Sequence, residues 1–303
     1  MNTETLELRL PNGFVNIDRL RELKSLIEKY GDGYAYITKR QSIEIRDIAL
    51  EDLPYVIERL DAKKMSPIHT GQFSNVMGNP LASIDPDEVM DTLGRVRELS
   101  TYLSSQEHKR KWNFAIAGGL HNLYPNNDII LLPVKRKGRI GDSILLGGSL
   151  ASDIVPLGLW IPVNDLHSLI GVILDVLNDK DENNINIRKL RWEIRRRFGL
   201  FSSLRRYRKS VPVTPPKFDF GFTLSSFNGY NEWGTYSYCG LNSPHNRFTP
   251  QQLDYLYALA HYGSSEIRLT GNQNFIIGPI PPHELDWFKE ETAWYGLQHI
   301  WNK

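Results

Sequence analysis

The segments YGDGYAYITKRQSIEI, from Tyr30 to Ile45, and YGSSEIRLTGNQNFII, from Tyr262 to Ile277, decide the fold because one repeats the other. They align without a gap at an offset of 232 residues, and Gln41 falls on Gln273. An internal repeat indicates that the chain contains two copies of one structural unit. Both copies are therefore expected to form the same set of helices and strands.

The residues around each copy predict a βαββα half-unit. In the first copy, LELRL alternates like a strand, and Asn16 can cap an amphipathic helix from Ile17 to Tyr30. In the second, Thr249 and Pro250 supply the cap and first turn of a helix that runs to Tyr262. Two short strands and a second helix follow in both copies. We therefore predict an α+β fold in which a pseudo-two-fold axis relates two half-units joined in one sheet.

A region of different character separates the copies. It begins with a loop rich in Gly, Pro, Ser and Asn, and its hydrophobic periodicity predicts three helices and three strands. The helices are expected at Asp87–Leu103, Val163–Asn178 and Ile187–Phe198, and the strands at Asn113–Ala117, Asp128–Val134 and Ser143–Gly147. The proline-rich VPVTPPKFDF, from Val211, is typical of a linker. The predicted domains are therefore residues 1–65, 66–210 and 211–303.

Charge and composition exclude several classes of function. The chain has 36 basic and 35 acidic residues, a net charge of +1 that indicates neither a nucleic-acid nor a membrane partner. It has no apolar run of the ~20 residues that a bilayer span needs, and its first residues are unlike a signal peptide, so we expect a cytoplasmic protein. Its one cysteine, Cys239, excludes an internal disulfide and any iron-sulfur site built from several cysteines of this chain.

Basic residues are the main candidates for binding chemistry. Arg188 to Lys209 is a strongly basic run that could hold phosphates or carboxylates or dock an acidic protein, and a solvated helix face is the simpler interpretation. Arg40 and Gln41 lie in the tight connection TKRQ, and Arg110 and Lys111 precede a predicted strand. Convergent guanidinium and ammonium groups suit an anionic ligand. Each pair could also be ordinary surface charge.

The remaining polar and glycine motifs are less specific. Gly118-Gly119 and Gly147-Gly148 follow predicted strands, where they could form turns or let a ligand approach the backbone. The histidines form no HxH or HExxH pattern, so His69 and His121 are expected in loops or core rather than at a metal. Cys239 lies in a predicted strand and is expected to be a small buried hydrophobe.

Five stretches, in this order, resemble the sirohaem nitrite and sulfite reductases, particularly the ferredoxin-dependent nitrite reductases. They are LRLPNG at Leu8, YITKRQSIEIRDI at Tyr36, GNPLASIDPDEVMDT at Gly78, RKWNFAIAG at Arg110 and EIRLTGNQNFII at Glu266. The resemblance implies that the half-units are ferredoxin-like and that the region between them is a mixed α/β half of a sirohaem domain. It covers three quarters of the family's architecture, and in the family the fourth quarter carries the four cysteines of a 4Fe-4S cluster. We therefore expect no such cluster here.

The resemblance also implies a site. Its cationic and polar positions would contact sirohaem or an anion beside it, and they are Arg40, Gln41, Arg46, Arg110, Lys111 and Asn113. Two positions depart from the family pattern. Glu7 stands where the family has a substrate arginine, and Met77 follows Asn75-Val76 where the family has a second one. A carboxylate would repel nitrite or sulfite, so half of the expected anion pocket is lost.

These features leave three hypotheses, and they do not decide whether the chain is an enzyme. The first is a reductase-like accessory or scaffold protein, a pseudoenzyme that forms a homodimer or binds a full-length reductase. The second is an oxidoreductase that binds sirohaem or another tetrapyrrole and needs a partner, or one with a repurposed reaction. The third is a binding module for an acidic protein such as ferredoxin, based on the run from Arg188 to Lys209.

Overall fold

The structure is a computed structural model that describes residues 2–68, 76–85, 88–106, 111–118, 126–150, 154–179, 186–200, 229–233, 236–263, 265–294 and 298–299. The helices are α1 (Ile17–Lys29), α2 (Leu53–Ala62), α3 (Thr92–Ser104), α4 (Leu166–Asn178), α5 (Ile187–Leu200), α6 (Pro250–Tyr262) and α7 (Leu285–Trp294). The strands are β1 (Thr3–Glu7), β2 (Phe14–Asn16), β3 (Ala35–Ile37), β4 (Ile43–Ala49), β5 (Phe114–Ile116), β6 (Ile129–Arg136), β7 (Arg139–Leu146), β8 (Val155–Pro162), β9 (Gly229–Trp233), β10 (Tyr236–Asn242), β11 (Arg247–Phe248), β12 (Glu266–Leu269), β13 (Phe275–Ile280) and β14 (Gln298–His299).

The chain divides into two units, each of which is described by itself. The first comprises residues 1–70, 80–86 and 222–303, and the second comprises residues 71–79 and 87–221. Both copies of the repeat belong to the first unit. The predicted linker at 211–220 lies outside the described residues.

The internal repeat is visible in the backbone of the first unit. Helices α1 and α6 each have 13 residues, and each begins at the predicted cap, Asn16 or Thr249. The second start is a complete capping box, because the Thr249 side chain accepts from the Gln252 amide and the Gln252 side chain from the Thr249 amide. The aligned residues Gln41 and Gln273 both have a left-handed φ, 55° and 64°. The two ferredoxin-like half-units are therefore confirmed in detail.

The half-units do not form one sheet, as we predicted, but two sheets that exchange strands. The strand orders are β1-β4-β3-β11 and β14-β10-β13-β12-β2. Strand β2 of the first copy pairs with β12 of the second, and β11 of the second pairs with β3 of the first. The exchange is reciprocal, as a pseudo-two-fold relation requires. It lets each short strand satisfy backbone hydrogen bonds in the other copy's sheet.

Apolar faces of both copies meet in the core of the first unit. Helix α1 buries Leu20 and Leu23, and α6 buries Leu256, within one continuous cluster. Phe248 and Phe275 cross edge-to-face there, with ring centroids 5.1 Å apart. Because side chains from both copies fill the same core, neither copy can bury its apolar face alone.

The second unit is a four-stranded sheet with helices α3, α4 and α5. Its strand order is β5-β6-β7-β8, where β5 and β6 are parallel and the other pairs are antiparallel. The sequence did not indicate β8, because Pro156, Gly158 and Pro162 break its pattern. Such residues are tolerated in a strand at the edge of a sheet, and a register irregularity against β7 accompanies them. Within the described residues, no helix is long and apolar enough to span a bilayer.

Candidate functional site

The connection TKRQ is the tight turn between β3 and β4, and its own side chains hold its shape. The Thr38 hydroxyl accepts a hydrogen bond from the Arg40 amide at 3.0 Å and lies 2.6 Å from the Ser42 hydroxyl. Hydroxyl groups that bind nearby backbone amides favour turns of this kind. Gln41 is buried and takes the left-handed conformation. Arg40 and Gln41 are thus brought together on a well-defined turn.

A carboxylate lies against this turn. The Ser42 hydroxyl donates a hydrogen bond to Glu7 Oε1 at 2.7 Å, and Glu7 stands at the end of β1, which pairs with β4. Two residues further on, burial lowers the pKa of the Arg9 guanidinium, and the negative charge of Glu7 opposes that shift. The turn predicted to attract an anion therefore has a fixed negative charge beside it.

Arg46 lies further along β4 and is engaged by its own neighbours. Its guanidinium donates to Glu44 Oε2 at 2.7 and 3.1 Å, and its Cζ lies 3.8 Å from the centre of the Tyr36 ring. The hydrogen bond from Arg46 to Glu44 raises the pKa of the guanidinium. Any other anion would have to displace Glu44, so local packing accounts for Arg46 in this structure.

In the second unit, Asp128 links the backbone at Asn113 to the turn at Gly148 and Ser149, two segments that are distant in sequence. Its carboxylate accepts hydrogen bonds from the Asn113 amide at 2.8 Å and from the Ser149 amide and hydroxyl at 2.7 and 2.6 Å. Gly148 has φ 55°, and a Cβ there would lie 2.8 Å from Asp128 Oδ1. Close approach to this buried carboxylate explains the glycine. Asp128 thus positions the backbone of Asn113, one of the candidate residues.

The other candidate positions of the second unit are less defined. Lys111 is exposed, whereas Arg110, His69 and His121 lie outside the described residues. Arg40, Gln41 and Arg46 belong to the first unit, and Lys111 and Asn113 belong to the second, so each set is described within its own unit.

Met77 stands where the resemblance places a substrate arginine, and its sulfur accepts from the buried Asn127 side-chain amide at 3.6 Å. Its side chain is buried, and its amide donates to the Phe114 carbonyl at 3.1 Å. The Met77 carbonyl in turn accepts from the Ile116 amide at 2.9 Å, so Met77 pairs with β5 through an isolated parallel β-bridge. An arginine side chain in the same rotamer would place its charge among core residues, which is costly.

A buried ion pair is a charged contact that sequence reasoning missed. Arg95 of α3 donates to Asp142 of β7 at 2.6 Å, and their side chains are 6% and 0% exposed. Burial raises the pKa of Asp142, and the positive charge of Arg95 opposes the shift. No local pattern marks the pair, because the partners are far apart in sequence and each looks like a surface charge.

Cys239 does not suit a metal site. It lies in β10, fully buried in the core of the first unit, as the sequence predicted. No group of three or more histidine, cysteine, aspartate or glutamate side chains that could hold a metal ion occurs among the described residues. A 4Fe-4S cluster takes four thiolate ligands, and the one thiol of this chain is enclosed by apolar side chains.

The basic run falls partly on α5. Residues 188–198 are described with their side chains, and residues 201–209 lie outside the described part of the chain. Glu193 is held by two arginines of its own helix, Arg196 at 2.6 Å and Arg197 at 2.9 Å, which together lower its pKa to about 2. One face of α5 is therefore charged, and ion pairs of Glu193 with Arg196 and Arg197 occupy part of that face.

Two protein-family models match the chain. One describes a nitrite/sulfite reductase ferredoxin-like half domain and matches residues 2–63 and 231–293. The other describes a nitrite and sulphite reductase 4Fe-4S domain and matches residues 70–198. The first match coincides with the two copies of the repeat. The second covers the region between them, where the described residues form the four-stranded sheet.

Similar proteins of known sequence and structure agree with these matches. A chloroplastic ferredoxin–nitrite reductase of Arabidopsis thaliana is 31% identical over 94% of this chain and 53% of the relative. A ferredoxin–nitrite reductase of Synechococcus elongatus is 30% identical over 92% of this chain and 59% of the relative. The NirA protein of Mycobacterium tuberculosis superposes with a TM-score of 0.77 at 21% identity, over 97% of this chain and 57% of NirA. The chain spans about half the length of the curated relatives it matches.

Proposed function

The chain belongs to the nitrite and sulfite reductase family, and we propose that it is a member that does not reduce either anion by itself and acts as an accessory or scaffold protein. Reduction of nitrite or sulfite needs a redox cofactor and a pocket that stabilises the anion with several positive groups. The proposal rests on the changes to that pocket and on the thiol content of the chain.

The contact between Glu7 and Ser42 is the observation that carries the proposal. The hydrogen bond of 2.7 Å fixes a carboxylate beside the turn that bears Arg40. A carboxylate repels a second negative charge, and the repulsion grows as the two charges come closer together. An anion that approaches Arg40 would meet this repulsion, so the turn is a poor site for nitrite or sulfite.

Two further observations support the same proposal. Met77 supplies a buried thioether where the family resemblance expects a substrate arginine. The chain has one cysteine, and a 4Fe-4S cluster requires four thiolates, so this chain alone cannot ligate the cluster named in the description of the second family model.

Chemical analysis and an activity assay test the proposal together. Protein purified without oxygen is expected to contain no acid-labile sulfide, because too few thiolates are present to hold a cluster. With reduced methyl viologen as electron donor, it is expected to consume neither nitrite nor sulfite. Stoichiometric sulfide together with turnover of either anion would show that the chain is a reductase.

The second candidate function is a tetrapyrrole-binding oxidoreductase that needs a partner. It is favoured by the defined turn at Arg40 and Gln41. A guanidinium there could bind a carboxylate of sirohaem, but this contact would have to outweigh the repulsion from Glu7 that also acts on nitrite. If sirohaem binds, its Soret band is expected during titration, and Arg40→Ala should weaken binding by about 1.5 to 3 kcal/mol, the scale of a hydrogen bond to a charged group. Lys39→Ala, which removes an exposed neighbouring charge, is the matched control.

If the variants Arg40→Ala and Lys39→Ala bind equally well, Arg40 is not part of the site. The variant Lys111→Ala tests the candidate residue of the second unit separately, by the same sirohaem titration. Arg46 is the weakest of the candidate positions, because Glu44 already accepts its hydrogen bonds.

An accessory protein acts on a second chain, and the relatives indicate its class. These relatives are ferredoxin–nitrite reductases, so we infer ferredoxin as the partner. A full-length reductase and a second copy of this chain are the alternatives. Light scattering of the purified chain at several concentrations, alone and with added ferredoxin, separates a homodimer from a complex.

A further inference from the structure

A cleft with four arginines lies in the second unit, between α5 and β8. Its volume is about 570 Å³, and Gly158 of β8 forms part of its wall. The α5 residues that line it are Arg188, Arg191, Trp192, Arg195 and Arg196. Ligand pockets typically have volumes of about 300 to 1,000 Å³, so the cleft has the size of a site for a small molecule.

Helical periodicity separates this cationic face from the apolar face of α5. Leu190, Ile194 and Phe198 are buried in the core of the unit, at spacings of four residues. Arg188, Arg191 and Arg195 follow a spacing of three and then four residues, which places them on an adjacent face of the helix. The arginines are therefore directed into the cleft by the same periodicity that buries the apolar residues.

Two of the guanidinium groups converge at Gly158. A Cβ on this residue would lie 3.6 Å from Arg195 Nη1 and 3.9 Å from Arg191 Nη2. Gly158 has φ 76°, a conformation that glycine adopts readily, and the missing side chain leaves the space in front of both groups open. Like charges one turn apart on a helix repel each other, so the arrangement is unfavourable without an anion.

The described residues provide no carboxylate that neutralises this pair. Arg196 is held by Glu193, but Arg188, Arg191 and Arg195 form no ion pair within the part of the chain that the structure describes. The Nε atom of Arg191 is enclosed there, and no described group accepts a hydrogen bond from it. An enclosed donor without an acceptor is costly. A phosphate in the cleft would contact the Nη groups of Arg191 and Arg195 that face Gly158.

The aromatic lining residue suggests the remainder of the ligand. The Trp192 side chain is 64% exposed, which is unusual for a large aromatic group, and it borders the same cleft. The Arg196 guanidinium lies 5.5 Å from its ring centre. An exposed indole beside an arginine cluster is a suitable surface for stacking a flat ring whose phosphates contact the arginines.

We propose that the cleft between α5 and β8 binds a nucleoside oligophosphate, with the phosphates on Arg191 and Arg195 and the base stacked on Trp192. All residues of this site belong to the second unit, and the proposal does not depend on whether the chain is a reductase. Arginine forks match the paired oxygen atoms of phosphate groups, and the base would cover the exposed indole.

Isothermal titration calorimetry of the full chain at low salt tests the proposal with pyrophosphate, tripolyphosphate and ATP as probes. The variant Arg191→Gln/Arg195→Gln is expected to weaken binding of all three by at least about tenfold, because two charge-assisted contacts are lost. ATP is expected to bind about tenfold more tightly than tripolyphosphate, and Trp192→Ala should remove this difference. Circular dichroism of each variant verifies that the protein is folded.

The matched control is Arg97→Gln/Arg139→Gln, which removes two exposed charges from the same unit. It is expected to change binding less than about twofold, because neither residue lines the cleft. An equal loss of affinity in both double variants would show that binding depends on net charge alone, and it would overturn the proposal. Equal affinity for ATP and tripolyphosphate would contradict the stacking of a base. Binding of polyaspartate that pyrophosphate does not displace would favour an acidic protein instead.

Discussion

Replacement of Asp128 by alanine is expected to lower the free energy of unfolding by about 4 kcal/mol. Asp128 is 1% exposed, and its carboxylate accepts three hydrogen bonds, one from the Asn113 amide and two from Ser149. Each buried donor that loses its acceptor costs about 1 to 3 kcal/mol, and the losses are not additive. Urea denaturation followed by circular dichroism measures the change.

Two variants make this prediction specific to the carboxylate. Asp128→Asn keeps the size of the side chain and one acceptor oxygen, so it should cost less than Asp128→Ala. Asn126→Ala changes an exposed neighbour and should stay within about 0.5 kcal/mol of the parent chain. If Asp128→Ala is as stable as Asn126→Ala, the carboxylate does not hold the Asn113 segment and the turn at Gly148 together.

The second large effect is expected from the buried ion pair between Arg95 and Asp142. Asp142→Ala leaves the Arg95 guanidinium enclosed and without its 2.6 Å contact, and should cost about 3 to 5 kcal/mol. The double variant Arg95→Met/Asp142→Leu removes both charges and fills similar space. It should lose less than half as much, since replacing a whole buried pair by apolar groups is often close to neutral.

A double-mutant cycle of Arg95→Met, Asp142→Leu and their combination, followed by urea denaturation at constant pH, provides the measurement. Arg97→Met is the control, because it alters an exposed arginine of the same helix α3. A double variant whose loss equals the sum of the two single losses would show that the charges do not interact. In that case, the short distance between Arg95 and Asp142 would have no energetic consequence.

Much of the first unit could be predicted from the sequence, because its determinants are local. The N-caps Asn16 and Thr249 each began a helix at the expected residue, and the repeat identified two half-units of the same kind. The predicted pairing of the strands was wrong. One sheet was expected, whereas the structure has two sheets that exchange β2 and β11. Strand partners are chosen by contacts distant in sequence, which a local pattern does not encode.

The candidate site and the cleft were also predictable from the sequence only in part. The TKRQ turn and the charged face of α5 follow from local residue types and from helical spacing. Strand β8 was missed, because Pro156 and Gly158 are unfavourable for a central strand and are accepted here at an edge. Without β8 the sequence could not indicate the cleft, since Gly158 forms the wall that faces Arg191 and Arg195.

The sequence by itself determined the repeat, the two capped helices, the family and the presence of only one thiol, because each is carried by residue identity at short spacing. Only the tertiary structure decided the partner of each charge. Glu7 meets Ser42, Asp128 meets Asn113 and Ser149, and Arg95 meets Asp142 across many intervening residues. A charged side chain looks the same in sequence whether it faces water or a partner, and burial determines how strongly the contact acts.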